Sequence, residues 1–281
     1  MKNIKNILAV FLMLPFLVLA QEEDKKKTEK LERDAFDSSL IIDNPSNVLL
    51  SKDALEVQMQ HRFGLINGGT NDMAGFWGAS NIRIAVSYGI HERLTIGFGT
   101  TKFSRLQDFS WKAAILRQTR SNSMPFSLTY YGNFTIDART KDKFNLEQDR
   151  YSYFNQLIIA KRFSPNVSFQ IAPSVSHYNL VHPDMKNDLF SVAIGGRIKV
   201  SPQTSILIDY SQPITQFDND EFNPKPGVSV GFEFATSAHE FQIFLTNNNS
   251  IVPQRNYMYN QNDFFNGDFL IGFNITRIYN F

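Results

Sequence analysis

Nine charged side chains stand on the polar side of a two-residue alternation: Glu56, Arg62, Arg83, Lys112, Arg197, Lys199, Asp209, Glu233 and Asp268. Five are basic and four acidic. Facing one enclosed space, groups of mixed sign pair across it and hold its shape, whereas a ring of one sign would select ions. Weak charge selectivity at most is therefore expected. Two other chemistries are worth testing. His177, His182 and Asp184 fall close enough to meet as metal ligands, but their spacing matches no standard site, and a solvated loop is the simpler account. A lipid hydrolase needs a Ser and a His on one face, with a polar group orienting the His. His177 shares parity with Val175 and Asn179, while Ser174 and Ser176 point the opposite way. No catalytic residue, metal ligand or cofactor motif is assigned, and the chain is not expected to be an enzyme.

The elements that position these groups follow from the same alternation. In the last stretch, Phe269, Ile271, Phe273 and Ile275 alternate with Leu270, Gly272, Asn274 and Thr276, and Tyr279 and Phe281 continue the apolar row to the terminus. A period of two gives a strand one apolar and one polar face. The pattern recurs from Ala54 onward and predicts twelve strands, with the facing of 151–163 ambiguous. Connections near 64–80, 137–150, 179–188, 215–226 and 249–267 are long, and 104–108 is short. The intervening ones, near 91–93, 118–125, 164–166, 201–203 and 237–239, are mostly tight. An even strand count, long loops on one side and short turns on the other are the features of an outer-membrane barrel. Aromatics fall at both ends of the strands, Phe63, Phe109 and Phe190 at one and Phe169, Phe234 and Tyr279 at the other, as two interfacial belts. A soluble sandwich also alternates, but its strands average about five or six residues, shorter than these. The expected fold is all-β: a twelve-stranded antiparallel transmembrane barrel over residues 54–281.

Bulk composition agrees. Of 281 residues 42% are hydrophobic, 26 are Phe and none is Cys, and mean hydropathy is −0.25. The net charge of +1 offers no electrostatic basis for nucleic-acid binding. Residues 1–20 have a basic start at Lys2 and Lys5, an apolar run, and Val18 and Ala20 before Gln21, the pattern of a secretory signal peptide. Residues 21–35 are densely charged and read as a periplasmic tether. Residues 36–53 are more apolar, with a turn at Asn44-Pro45, and fit either a short periplasmic element or a segment tucked into the barrel mouth. Small residues at Gly97, Gly99, Ala193, Gly195, Gly231 and Gly272 leave room inside for water, a ligand or such a segment.

Four stretches, FDSSLIIDNPSNVL, LEVQMQHRFGLINGG, NIRIAVSYGIHERLTIGFG and HEFQIFLTNNNSIVPQ, resemble an uncharacterised family of Gram-negative outer-membrane β-barrel proteins. The resemblance covers roughly residue 36 to the end. It implies a barrel in the outer membrane and carries no substrate or catalytic residue. Expected partners are outer-membrane lipid and the barrel-assembly machinery, whose signal the terminal Tyr279 and Phe281 resemble. With an even strand number, both termini would be periplasmic. Two functions remain open: a small pore or transport component of unknown cargo, and a non-conducting platform that binds partners through its outer loops. Exposed Phe76, Trp77, Tyr257 and Tyr259 would favour the latter.

Overall fold

The computed structural model describes residues 29–236 and 239–281. The expected signal peptide and the first part of the tether lie outside the described residues. Twelve strands follow: β1 (Ala54–Leu65), β2 (Asn81–His91), β3 (Leu94–Thr101), β4 (Leu106–Leu116), β5 (Ser127–Asp137) and β6 (Tyr151–Arg162). The second half comprises β7 (Val167–Tyr178), β8 (Asp188–Lys199), β9 (Thr204–Pro213), β10 (Gly227–Ala235), β11 (His239–Thr246) and β12 (Leu270–Asn280). Each pairs antiparallel with its sequence neighbours, and β1 closes on β12 from Ala54 opposite Asn280 to Arg62 opposite Gly272. Closure leaves no strand edge unpaired, the condition for a sheet to cross lipid.

Burial inverts the soluble pattern. In β1 the polar residues Glu56, Gln58, Gln60 and Arg62 are buried. Large apolar residues on the other face of the sheet stay bare, with Ile84 at 52%, Phe190 at 59% and Ile243 at 55% exposure. A soluble barrel would bury the second set and wet the first. Here the outward apolar wall can only be solvated by lipid.

Connections at 92–93, 163–166 and 200–203 are short, and those at 66–80, 138–150, 179–187, 214–226 and 247–269 are long. The 102–105 connection is the brief one on the long-loop side. β1 starts and β12 ends at the short-turn mouth. There Arg277, the one cation in the outward row of β12, lies over the Tyr279 ring at 4.7 Å, close enough to the strand end to reach headgroups.

One strand was ambiguous for a physical reason. β6 turns Phe154, Ile158 and Ala160 inward and Leu157 and Ile159 outward. It is apolar on both faces because its inner face also packs against protein.

Candidate functional site

The barrel interior is occupied by its own chain. Residues 36–50 run inside it and touch strands from every side. The tip, Ile41 to Asn44, is a tight turn closed by a hydrogen bond from Ile41 N to Asn44 O at 2.9 Å. One Asp209 carboxylate oxygen in β9 accepts the N–H groups of Ile42, Asp43 and Asn44 at 3.3, 2.9 and 2.9 Å. Its other oxygen accepts the Asn44 side-chain amide at 2.7 Å. Asp43 pairs with Arg62 of β1 at 2.8 Å and accepts from Ser229, Thr246 and Asn248 at 2.6, 2.8 and 3.2 Å. Elsewhere the wall donates to plug carbonyls: Lys112 Nζ to Ser39 O and Val48 O at 3.0 and 2.9 Å, Gln170 to Pro45 O at 2.8 Å, and Asn274 to Ile42 O at 2.9 Å. Irregular backbone inside a barrel must satisfy its polar groups in this way.

The plug also has an apolar side. Ile41 and Ile42 are fully buried and, with Phe36, join Phe154, Ile158, Leu189, Leu207 and Phe244 in one core. Burying each such side chain is worth about 1.5–3 kcal/mol. Gly195 of β8 is the notch for Ile41, whose terminal methyl occupies the place a side chain there would need.

A second segment enters from the long-loop end. Helix α1 (Pro253–Tyr259) hangs from the β11–β12 connection, with proline in its first turn. Gln254 donates to Asn133 and Thr135 at 3.0 and 2.7 Å, and Met258 is fully buried. Tyr257 donates its hydroxyl to the Asn44 side chain at 2.5 Å, so the two inserts meet. Burial, reinforced by the Asp209 charge, raises the Tyr257 phenol well above its ordinary value and keeps it a neutral donor. The expectation that Tyr257 is an exposed recognition residue is therefore corrected: its loop folds inward to bury it beside Phe154. Phe76 and Trp77 do stand exposed, at 46% and 73%.

Of the nine charged residues, Arg62, Arg83, Lys112, Arg197, Asp209, Glu56 and Glu233 face the interior, and Lys199 sits at the short-turn mouth, 4.0 Å from Asp37. Asp268 does not line the lumen. β12 begins two residues later, and a 3-10 turn at Phe264–Asn266, ended by left-handed Gly267, holds Asp268 in the outer loop, where it accepts from Asn67 at 3.2 Å. No ion pair among the described residues joins two of the nine. Their partners are Asp43 and Asp37 from the plug and Asp108 of β4, which binds Arg83 through two bonds of 2.9 and 2.7 Å. Asp108 was legible from its parity with Lys112. Asp37 and Asp43 carried no signal, because nothing local says that an irregular segment enters the lumen.

Ahead of the plug, residues 29–35 lie against the β4–β5 turn. Glu32 N donates to Gln118 O at 2.8 Å, Arg120 N to Lys30 O at 3.0 Å, and Glu29 accepts from Ser121 and Ser123. Burial raises the pKa of Asp34 beside this turn, against the lowering pull of Arg117.

Space remains beside the plug. A small cavity lies between the plug and β1–β5, lined by Glu56, Gln58, Gln60, Ser87, Ser110 and Tyr131, and reaches Ile251 and Pro253 of the outer loop. Glu56 accepts from Ser39 and Gln58 through one oxygen, at 2.9 and 3.2 Å. Its second oxygen is buried without a protein partner. The histidine chemistry is not assembled: His177 binds Asp188 and Asn179 at 2.7 and 3.0 Å, His182 stands 3.6 Å from Asp184, and no metal-ligand cluster occurs among the described residues.

Residues 36–279 match the profile of a family described as a membrane bound beta barrel domain, DUF5777. The chain belongs to this family. The match starts at the first residue of the plug, so plug and barrel form one family unit. Among solved structures, the NanC porin is 10% identical over 80% of this chain and 98% of its own, with a TM-score of 0.51. An outer membrane channel from Pseudomonas putida F1 is 14% identical, covering 92% of this chain and all of its own, with a TM-score of 0.45. The likeness to the porin is one of fold. No curated protein matches the chain. The protein is thus an outer-membrane-type β-barrel of porin-like architecture.

Proposed function

We propose that this barrel is a transport component for small polar solutes, held closed by its N-terminal segment and by α1. The observation that carries this reading is the manner of closure. The plug tip is held by polar contacts to Asp209 and Arg62 and its flanks by Lys112, with a polar cavity beside it. Hydrogen bonds to a wall can be exchanged for hydrogen bonds to water, so the polar part of the closure can be undone at little net cost and the Ile41–Ile42 packing is what opposes opening. Hydrolysis is not favoured, since both ring nitrogens of His177 are engaged and neither partner is a nucleophile. We place both termini in the periplasm, with Tyr279 and Phe281 presented to the assembly machinery, because the short turns lie at that end.

Planar-bilayer recording tests the reading. The full chain should be silent or nearly so, and deletion of residues 36–50 should produce large steps, since that space lies within the wall. A deleted barrel that folds, inserts and stays silent would sink the proposal. A second reading, a partner-binding platform, is favoured by exposed Trp77, Phe76 and Phe265 at the long-loop end. It predicts that a partner retained by the wild-type barrel is lost on replacing Trp77 and Phe265 by Ser, with conductance unaffected.

A further inference from the structure

Two cavities flank the plug on its β1–β5 side. The first is the polar cavity described above. The second opens toward the short-turn mouth and is lined by Asp34, Asn47, Ser51, Glu92, Arg117 and Thr129. Leu50 lines both cavities. Its backbone N–H donates to Thr95 Oγ1 of β3 at 3.0 Å, which pins it to the wall. Its side chain is 5% exposed. An apolar residue between two wet compartments closes a path by excluding water from the narrowest point.

We propose that solute passes beside the seated plug, through a side passage along β1–β5 in which Leu50 is the gate. The proposal rests on the transport reading and names its route and gate. Plug expulsion would break the Asp43–Arg62 pair, the four bonds to Asp209 and the Ile41–Ile42 packing together. Moving one leucine at the plug's trailing end breaks none of them.

The wall also specifies the solute. Arg83 is neutralised by Asp108, and Lys112 is engaged by two plug carbonyls. Glu56 lines the first cavity with one oxygen that has no protein partner, and the Lys112 ammonium on the same lining balances its charge. The remaining lining offers serine hydroxyls, amides and the Tyr131 ring. The passage therefore takes small uncharged polar solutes, with hydroxyl donors for Glu56, and its balanced Glu56 and Lys112 charges favour neither ion sign.

The test uses the full chain in bilayers with potassium chloride. Leu50→Ala should add resolvable conductance steps where the wild type has none, and Leu50→Trp should stay closed. Hydrogen exchange of amides 38–48 should be unchanged in Leu50→Ala, which establishes that the plug is still seated. In a salt gradient the Leu50→Ala reversal potential should lie near zero, and adding Glu56→Gln, which leaves Lys112 unbalanced, should shift it toward anion preference. The chain has no cysteine, so Thr129→Cys in the Leu50→Ala background offers a single thiol. Its modification by a cationic methanethiosulfonate should reduce the steps. A silent Leu50→Ala barrel, alongside a conducting 36–50 deletion, would overturn the side passage while leaving the transport reading intact. Silence in both overturns both. Steps accompanied by lost protection at 38–48 would assign conduction to plug release instead, and a strong preference of Leu50→Ala for either ion sign would overturn the solute class.

Discussion

Arg62 shows how much can rest on one residue in this barrel. Its side chain is fully buried, pairs with Asp43, donates to Asn274 at 2.9 Å and lies 4.5 Å above the Phe244 ring. Removing one partner from a buried pair strands the other charge and costs about 3–5 kcal/mol. Asp43→Ala is therefore expected to lower the urea midpoint of the refolded barrel more than Asp37→Ala, because Asp37 is itself a third exposed whereas buried Asp43 also accepts from Ser229, Thr246 and Asn248. Equal midpoints for the two variants would show that the tip pair does not anchor the plug. Asp209 gives a second residue-scale expectation. Asp209→Asn keeps its size and one acceptor oxygen, but in either orientation its NH2 meets a donor, the backbone N–H groups or the Asn44 side-chain amide, so amides 42–44 should lose exchange protection.

At the scale of elements, the plug and α1 are two irregular inserts joined by one hydrogen bond, from Tyr257 to Asn44. A neutral hydrogen bond contributes roughly 0.5–1.5 kcal/mol net, and orphaning the buried acceptor costs about 1–3 kcal/mol. Tyr257→Phe should raise exchange in both segments together if they are coupled. A rise confined to 253–259 would show that the inserts are held independently. The notch at Gly195 makes a separate prediction. Gly195→Val places a branched side chain where Ile41 sits, so the barrel should still close, since its strand register is untouched, while plug amides lose protection. An unchanged plug would mean that Ile41 has another place to go.

At the scale of the whole molecule, the arrangement is a membrane cylinder filled from both ends by its own chain. The wall is held by twelve strand ladders and the contents by side-chain hydrogen bonds and one apolar cluster, so the two should differ in stability. Stepwise denaturation should release the contents before the wall, detected as plug amide exchange at urea concentrations where the slow gel mobility of the folded barrel persists. A single concerted transition of both would contradict that ordering. The match of the family profile from residue 36 fits this picture, because it spans contents and wall alike.

The strands, their number, the even closure, the alternation of long and short connections and the outward apolar row were all legible in the sequence. Each depends on a local period of two that persists in any context. The same local rule placed eight of the nine charged residues on the inner wall or at its mouth. It failed at Asp268, where a left-handed Gly267 ends a turn that periodicity does not register. It was silent on 151–163, whose inner face is apolar because a segment over a hundred residues earlier packs against it. What fills the barrel was decided only in three dimensions. Residues 36–50 have no regular secondary structure, so no period marks them, and their partners Asp209, Arg62, Lys112 and Gln170 are scattered over strands far apart in the chain. A sequence read locally can state which side chains face inward. Whether they meet water or protein depends on long-range contacts that closure of the barrel brings into being.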